Sequence, residues 1–371
     1  MDFELSDDQI ALAEAARELL DRFASPAQVR EVVDADTGFD RVLWSAMVDQ
    51  GWPGITVPEA FGGLGLGFVE FAVLLEQTGS HAAPAPFLQQ VVALDSLVRG
   101  VNSGSGGMDR DQIDTVIRLL RSLINGGMVA TVAWQPVAVD EDGRLHGSTE
   151  PAIFAPLAEV AVVVGQSASG RRSLRLVDLV ETGTVPRSEP AMDRTRKLGW
   201  LRFGGAPSIE LGGEEAVEAF LDAGAVAHAA EMLGGAARSL DLAVAYAKER
   251  HQFGRPIGSF QAVKHRCADM LVDVEGMRSV AYYAAWAYSA DDPDRSIAAS
   301  TAKTWCSDAA RRVTASALQV HGGIGFTWEC DVHLFLKRAQ LDEVSFGDAS
   351  FHRARLARML RAKVEAGESV I

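Results

Sequence analysis

Two segments of the chain carry residues whose types and spacing suit phosphate. The first is residues 248–266, KERHQFGRPIGSFQAVKHR, where Arg250, Arg255, Lys264 and Arg266 surround a turn containing Gly and Pro. Guanidinium groups bind pyrophosphate oxygens through paired hydrogen bonds, and helix ends expose N–H groups that also suit phosphate. The competing interpretation is an ordinary helix end, whose last cations complement the helix dipole.

The second segment is residues 319–329, QVHGGIGFTWE, which has glycines at 322, 323 and 325. Glycine has no side chain beyond its Cα, so a ligand can approach the backbone closely there. Taken alone, the segment is more typical of an ordinary loop between two helices.

Other chemistries lack their residue patterns. The sequence contains no G-x-x-x-x-G-K-[ST], no G-x-G-x-x-G after a strand, no H-E-x-x-H and no G-x-S-x-G. Its three cysteines form no C-x-x-C pair, so we expect neither a disulfide framework nor a metal site. Free cysteines indicate a reducing compartment, and the acidic start MDFELSDDQI is unlike a signal peptide, so we expect a cytoplasmic protein.

The overall charge narrows the class of partner. The 371 residues carry a formal net charge of −15 at pH 7. Such an acidic chain is a poor partner for nucleic acid or for an anionic membrane surface. No uncharged stretch is continuous enough to predict a membrane span.

Hydrophobic spacing predicts the elements that must position the two segments. Helical spacing predicts helices over residues 7–23, 40–50, 68–78, 111–123, 215–250, 259–289 and 295–320. Short β-branched runs separated by turn residues predict strands from about residue 128 to 213. We therefore predict an α+β multi-domain protein with an N-terminal helical domain over 1–125, a central β-barrel or sandwich over 126–213 and a C-terminal four-helix bundle over 214–371.

With these elements in place, three motifs resemble the acyl-CoA dehydrogenase family. They are PEAFGGLGLG at residues 58–67, the stretch AEMLGGAARSLDLAVAYAKERHQFGRPIGSFQAVKHRCADM at 230–270 and LQVHGGIGFTWECDVHLFLKRA at 318–339. They occur in the family's order and the likeness covers nearly the whole chain. The resemblance implies FAD as cofactor and α,β-dehydrogenation of an acyl-CoA thioester, with an electron-transfer flavoprotein as electron acceptor.

The resemblance also assigns cofactor residues. In the family, an R-x-x-F-G motif and a Q-x-x-G-G motif hold the ADP half of FAD, mostly the FAD of a neighbouring subunit. The matching positions here are Arg250, Gln252, Phe253, Gln319, Gly322 and Gly323.

The catalytic base departs from the family pattern. The reaction needs a carboxylate to remove the α-proton. Most family members carry it as the Glu of a Y-E-G-T motif, which aligns with Phe346 here, and a minority carry it at a position that aligns with Gly224. Neither residue can accept a proton. Asp348 and Asp222 lie two residues away from these positions and are the remaining candidates, unless they are capping or solvated aspartates.

The flavin-ring contacts depart as well. A T-E-P-like stretch, whose backbone and hydroxyls touch the flavin ring in the family, reads TVAWQPVAVD here and carries Trp134 and Gln135. A later W-I-T-like motif reads PAIFAP at residues 151–156.

The flavin-ring half of the cofactor site departs from the family pattern, whereas the ADP half matches it. In this respect the chain resembles actinobacterial family members that form α₂β₂ heterotetramers and act on steroid side-chain CoA thioesters. This resemblance implies a base-lacking subunit that needs a second acyl-CoA dehydrogenase-like chain. Two alternatives remain open at this point. The chain could be a self-sufficient homo-oligomeric dehydrogenase that uses Asp348 as its base, or a binding or structural subunit without redox chemistry.

Overall fold

A computed structural model describes residues 5–104 and 107–369. The α-helices in this part of the chain are α1 (Asp7–Phe23), α2 (Pro26–Asp34), α3 (Arg41–Asp49), α4 (Phe68–Ser80), α5 (Phe87–Ser103), α6 (Arg110–Ile124), α7 (Glu214–Glu249), α8 (Gln261–Ser289), α9 (Arg295–His321), α10 (Val332–Val344) and α11 (Ala349–Ala366). The strands are β1 (Ala130–Val139), β2 (Leu145–Ser148), β3 (Ala152–Ile153), β4 (Val160–Ser167), β5 (Arg172–Asp178), β6 (Arg187–Glu189), β7 (Leu198–Trp200), β8 (Arg202–Ala206), β9 (Ile209–Gly212), β10 (His251–Gln252) and β11 (Arg255–Pro256).

Local signals placed several helices correctly. Ser6 accepts a hydrogen bond from the Gln9 N–H, and Gln9 accepts one from the Ser6 N–H, which forms a capping box at the start of α1. The carboxylate of Asp40 caps α3 by accepting the N–H groups of Val42 and Leu43. The sequence prediction omitted α2, α5, α10 and α11 as separate helices.

The chain divides into two compact units, and the boundary between them falls inside α7. The described residues of the first unit are 5–26, 68–83 and 224–369, and those of the second are 27–67, 84–104 and 107–223. The element type changes from helix to strand after α6 and back to helix at α7, as the pattern indicated. The three-domain division at residues 126 and 214 stays a prediction.

The second unit is built on a six-stranded sheet with the strand order β8-β2-β1-β4-β5-β9. Its central pair, β1 and β4, is parallel, whereas the other pairings are antiparallel. Three short strands, in the order β3-β7-β6, form a separate sheet. Buried Ala, Val and Leu residues of both sheets share one core. Gln90 on α5 anchors the start of β1, since its amide nitrogen donates to the Met128 carbonyl oxygen and its Oε1 accepts the Ala130 N–H.

The first unit is helical, and glycines set how closely its helices approach. A Cβ on Gly79 of α4 would lie 2.1 Å from the Glu231 carbonyl oxygen, and one on Gly234 of α7 would lie 1.9 Å from the Glu76 carbonyl oxygen. The α4 and α7 backbones therefore touch directly, which residues with side chains would prevent. The other long helices, α8 and α9, pack on each other, and α10 and α11 pack on α9.

Among the helices of the described residues, none is long and apolar enough to cross a membrane.

Candidate active site

The R-x-x-F-G segment forms a tight hairpin at the end of α7. Strands β10 and β11 pair antiparallel, with His251 opposite Pro256 and Gln252 opposite Arg255. Phe253 and Gly254 complete the turn with φ values of 52° and 78°, the left-handed conformation that two-residue hairpin turns require. This turn directs the Phe253 ring into solvent, where it is 90% exposed.

The predicted ADP-binding residues of this hairpin are all at the surface. Arg250 and Gln252 are exposed, and the Arg250 carbonyl accepts the Ile257 N–H at 2.8 Å, which closes the base of the hairpin. The neighbouring Arg255 is used within the chain, since its guanidinium lies 4.1 Å from the centre of the Phe260 ring. Arg250 is therefore better placed than Arg255 to bind a ligand anion.

The second predicted segment lies at the same end of the first unit. α9 ends at His321, whose ring stacks on Tyr246 of α7 with the ring centres 4.6 Å apart. Gln319 is exposed on the last turn of α9, and Gly322 adopts φ 64° before a short 3₁₀ turn. The stacked rings bring the two segments together.

Helix dipoles contribute to the electrostatic potential at this end of the first unit. Both α7 and α9 terminate here, and helix C-termini carry partial negative charge, which disfavours phosphate. α8 begins here, and Phe260, its N-cap residue, supplies no side-chain cap to the first amides. Attraction for a pyrophosphate must therefore come from Arg250, from these amides and from the glycine backbone. The six predicted residues stay a prediction with suitable exposure and chemistry.

The two positions predicted to align with the family's catalytic base contact each other. Phe346 is 3% exposed, and its ring packs directly on the backbone of Gly224 in α7. A Cβ built on Gly224 would lie 2.1 Å from one carbon of that ring. The phenyl group thus fills the space between the positions, which contains no carboxylate from either of them.

The turn that carries Phe346 is held from both sides. The buried ammonium group of Lys303 donates to the carbonyl oxygens of Gly347 at 2.7 Å and of Glu343 at 2.8 Å. On the other side, His352 Nε2 donates to the Phe346 carbonyl oxygen at 2.9 Å. Burial lowers the pKa of His352 from 6.5 to about 3, so the imidazole is neutral at neutral pH.

The two candidate aspartates differ in their surroundings. Asp348 is exposed and is the N-cap of α11, where its carboxylate accepts the Phe351 N–H at 2.8 Å. Asp222 lies on α7 within the second unit and is fully buried. The capping contact gives Asp348 a structural role, and its role as a base stays a prediction.

A buried polar cluster behind Phe346 escaped the sequence reasoning. Ligand-type atoms of His228, Glu231 and Asp342 lie within 4.8 Å of one another. Arg338 donates to Glu231 at 3.1 Å, and Lys303 attracts Asp342 electrostatically. Two cations therefore already balance the two carboxylates, and this charge balance favours an internal ionic network over a cation site. Helical spacing alone could have found it, because residues 228 and 231, and likewise 338 and 342, share helix faces.

The first strand is irregular in the stretch that the sequence comparison assigned to flavin-ring contacts. The register of β1 against β4 shifts between Ala133 and Val137, so the backbone bulges there. Within this bulge, the amides of Trp134 and Gln135 both donate to Glu150 Oε1, at 2.8 and 3.3 Å. Burial raises the pKa of Glu150, although these contacts oppose the shift. The chain thus uses these amides for its own carboxylate.

Helices followed by a β-region and a second helical region define the α+β multi-domain class that the sequence predicted. The chain belongs to the acyl-CoA dehydrogenase family: residues 6–102 match the family's N-terminal domain and residues 212–361 its C-terminal domain. The acyl-CoA dehydrogenase IpdE2 of Mycolicibacterium smegmatis is 34% identical over 336 residues, which cover 90% of this chain and 93% of that protein.

Solved structures agree with this assignment and with the predicted fold class. A variant of the Tcur3481-Tcur3483 steroid ACAD is similar to this chain with a TM-score of 0.87 and 29% identity, covering 97% of this chain and 99% of that one. The ChsE4-ChsE5 complex from Mycobacterium tuberculosis is similar with a TM-score of 0.86 and 29% identity, at the same coverage of both chains.

Proposed function

We propose that this chain is one subunit of a hetero-oligomeric, FAD-dependent acyl-CoA dehydrogenase, and that it lacks a catalytic base of its own. The observation that carries the proposal is the contact between Phe346 and Gly224. α,β-Dehydrogenation needs a carboxylate at the α-carbon, and both family positions for it are occupied by groups that cannot accept a proton. A partner chain of the same fold would supply the carboxylate.

The role left to this chain is to hold the ADP half of FAD bound mainly by the partner. When bound, FAD supplies the hydride acceptor for the β-carbon. The exposed Arg250, Gln252 and Gln319 and the glycine turn at 322–323 support an ADP site. The flavin-ring side fits less well, since Glu150 occupies the amides of Trp134 and Gln135. One half of a cofactor site per subunit fits a shared interface.

We further propose a steroid side-chain CoA thioester as substrate and an electron-transfer flavoprotein as electron acceptor. The substrate proposal is supported by the likeness to a protein described as a steroid ACAD, and the heteromeric proposal by the likeness to a complex of two named chains. The electron acceptor follows from the family resemblance.

Co-expression tests the proposal. We expect the chain purified alone to lack stoichiometric flavin, and its complex with the product of the neighbouring gene to contain FAD, measured by visible absorption and by mass determination of the complex. Stoichiometric FAD together with turnover of an acyl-CoA by the chain alone would contradict the proposal.

If the chain alone is active, Asp348→Asn separates the two roles of Asp348. Asparagine caps helices nearly as well as aspartate but cannot accept the α-proton. Loss of turnover with an unchanged unfolding midpoint would then identify Asp348 as the base of a self-sufficient enzyme. If no candidate partner brings flavin with it, the chain is a binding or structural subunit.

A further inference from the structure

We propose that Phe346 is a fixed plug which keeps the acyl group out of this chain's own half-site, so that the partner subunit alone selects the acyl group. The inference rests on the proposed function. It goes beyond the loss of the base, because a half-site that only lacked a carboxylate would still have room for a thioester.

The Phe346 ring leaves no space for an acyl chain beside Gly224. Three carbons of the Phe346 ring would lie 2.1, 2.2 and 2.4 Å from a Cβ on Gly224. These distances mean that the ring touches the α7 backbone itself, and no acyl chain can pass between the two positions. Gly224 and Phe346 are both buried.

The glycine at position 224 makes α7 less stable than alanine would in an open position of the same helix. Gly224 lies inside a 36-residue helix, where glycine is less favourable than alanine by roughly 0.5–1 kcal/mol. Its φ is in the ordinary helical range, so the backbone conformation does not require glycine. The ring of Phe346 is the feature that requires it.

The Phe346 ring is held in place by its backbone and its neighbours. Phe346 and Gly347 both have positive φ, at 56° and 92°, a conformation that costs energy for phenylalanine. The hydrogen bonds from Lys303 to the Gly347 carbonyl and from His352 to the Phe346 carbonyl secure this strained turn. The ring also lies against His228, with the ring centres 5.7 Å apart. A side chain held on each side is not a mobile lid.

A double-mutant cycle tests the packing that the plug requires. We expect Gly224→Ala to lower the unfolding midpoint, or to prevent folding, because its Cβ overlaps the ring. Phe346→Ala alone should also lower the midpoint, because it leaves a cavity in the core. The double variant Gly224→Ala with Phe346→Ala should be about as stable as Phe346→Ala, since the added methyl group no longer meets a ring. These measurements use the chain in whichever assembly it is purified.

Gly235→Ala is the matched control in the same helix. Its Cβ would meet its nearest atoms at 3.7 and 3.8 Å, an ordinary contact distance, so the midpoint should be unchanged or higher. If Gly224→Ala behaves like Gly235→Ala, or if Gly224→Ala costs as much stability in the Phe346→Ala background as in the wild type, the plug is refuted.

Thioester counting tests the functional half of the inference. Crotonyl-CoA, which is already unsaturated at the reacting carbons, is titrated into the complex of this chain with its partner. We expect one thioester per pair of subunits in the wild type and a second, weaker one in Phe346→Ala.

Two binding outcomes would overturn the inference. A wild-type complex that takes up two thioesters per pair has no plug, and a Phe346→Ala complex that still takes up one shows that the ring is not what excludes the acyl group. Failure of the proposed function is a separate result, because it is seen as flavin and turnover in the chain alone.

Discussion

At the scale of single residues, Arg338 shows how charge is handled inside the first unit. It is 2% exposed, and its guanidinium donates to Glu231 at 3.1 Å and to the carbonyl oxygens of Ala82 and Ala83. Planar guanidinium groups can serve several acceptors at once, which a lysine ammonium in the same place could not do with the same geometry. Removing Arg338 would leave the Glu231 carboxylate buried without this cation.

We therefore expect Arg338→Met to lower the free energy of unfolding by about 3–5 kcal/mol, the usual cost of breaking a buried ion pair from one side. Arg353→Met is the matched control, because Arg353 pairs with Asp308 at the surface with 54% of its side chain exposed. It should cost about 0–1 kcal/mol. Equal losses in denaturant titrations of the two variants would show that the buried pair has no special weight.

At the scale of elements, the junction between α10 and α11 places a neutral histidine against a buried lysine. Burial lowers the pKa of Lys303 from 10.5 to about 8, and burial with the nearby Lys303 charge lowers that of His352 to about 3. Arg355 opposes protonation of His352, whereas Asp348 favours it more weakly. At neutral pH, the turn that carries Phe346 is therefore held by a protonated Lys303 and a neutral His352.

This arrangement predicts a pH dependence of stability. The unfolded chain protonates His352 near pH 6.5 and the folded chain only near pH 3, so the unfolded state binds more protons between these values. We expect stability to fall as pH drops through this window, by on the order of a few kcal/mol. His352→Gln keeps a side-chain donor without a titrating ring, and it should flatten this part of the profile.

The control for this profile is His265→Gln. His265 is exposed on α8, so the variant should keep the wild-type slope between pH 6.5 and 3. A His352→Gln profile parallel to that of the wild type would show that another group causes the loss.

At the scale of the whole molecule, the net charge of −15 is the sum over all residues, whereas a binding site depends on the charges close to it. The acidic total is therefore compatible with the proposed ADP site. Arg250 stands exposed beside the hairpin, at the same end of the first unit as Gln319 and Gly322. Exposed phenylalanines at 253 and 326, 90% and 75% exposed, lie on the same two segments. Exposed aromatic side chains of this size fit burial by a partner chain.

We expect Arg250→Met to weaken FAD retention by the complex by roughly tenfold or more, the loss of a charge-assisted hydrogen bond to phosphate. Arg358→Met removes the same charge from the exposed face of α11 and should leave FAD retention unchanged. The measurement is the FAD released on dilution, followed by flavin fluorescence. Equal release from both variants would argue against an ADP site at Arg250.

Sequence patterns predicted the elements with strong local signals and missed those without them. The capping box at Ser6 and Gln9 and the glycine-rich segment 58–67 before α4 can be read from the sequence, because caps and glycines act over a few residues. The parallel pairing of β1 with β4 joins residues distant in the chain, and so does the hydrogen bond that the Trp134 N–H in the β1 bulge donates to Glu150. Local spacing carries no information about such pairings.

The amino-acid sequence by itself determined the family, the order of elements and the absence of a carboxylate at positions 346 and 224, since these follow from residue identity along the chain. Only the tertiary structure decided that those two positions touch, that Phe346 fills the gap and that Glu150 occupies the β1 amides. The physical reason is that packing depends on which atoms exclude one another in space, and folding brings together residues that the chain keeps far apart.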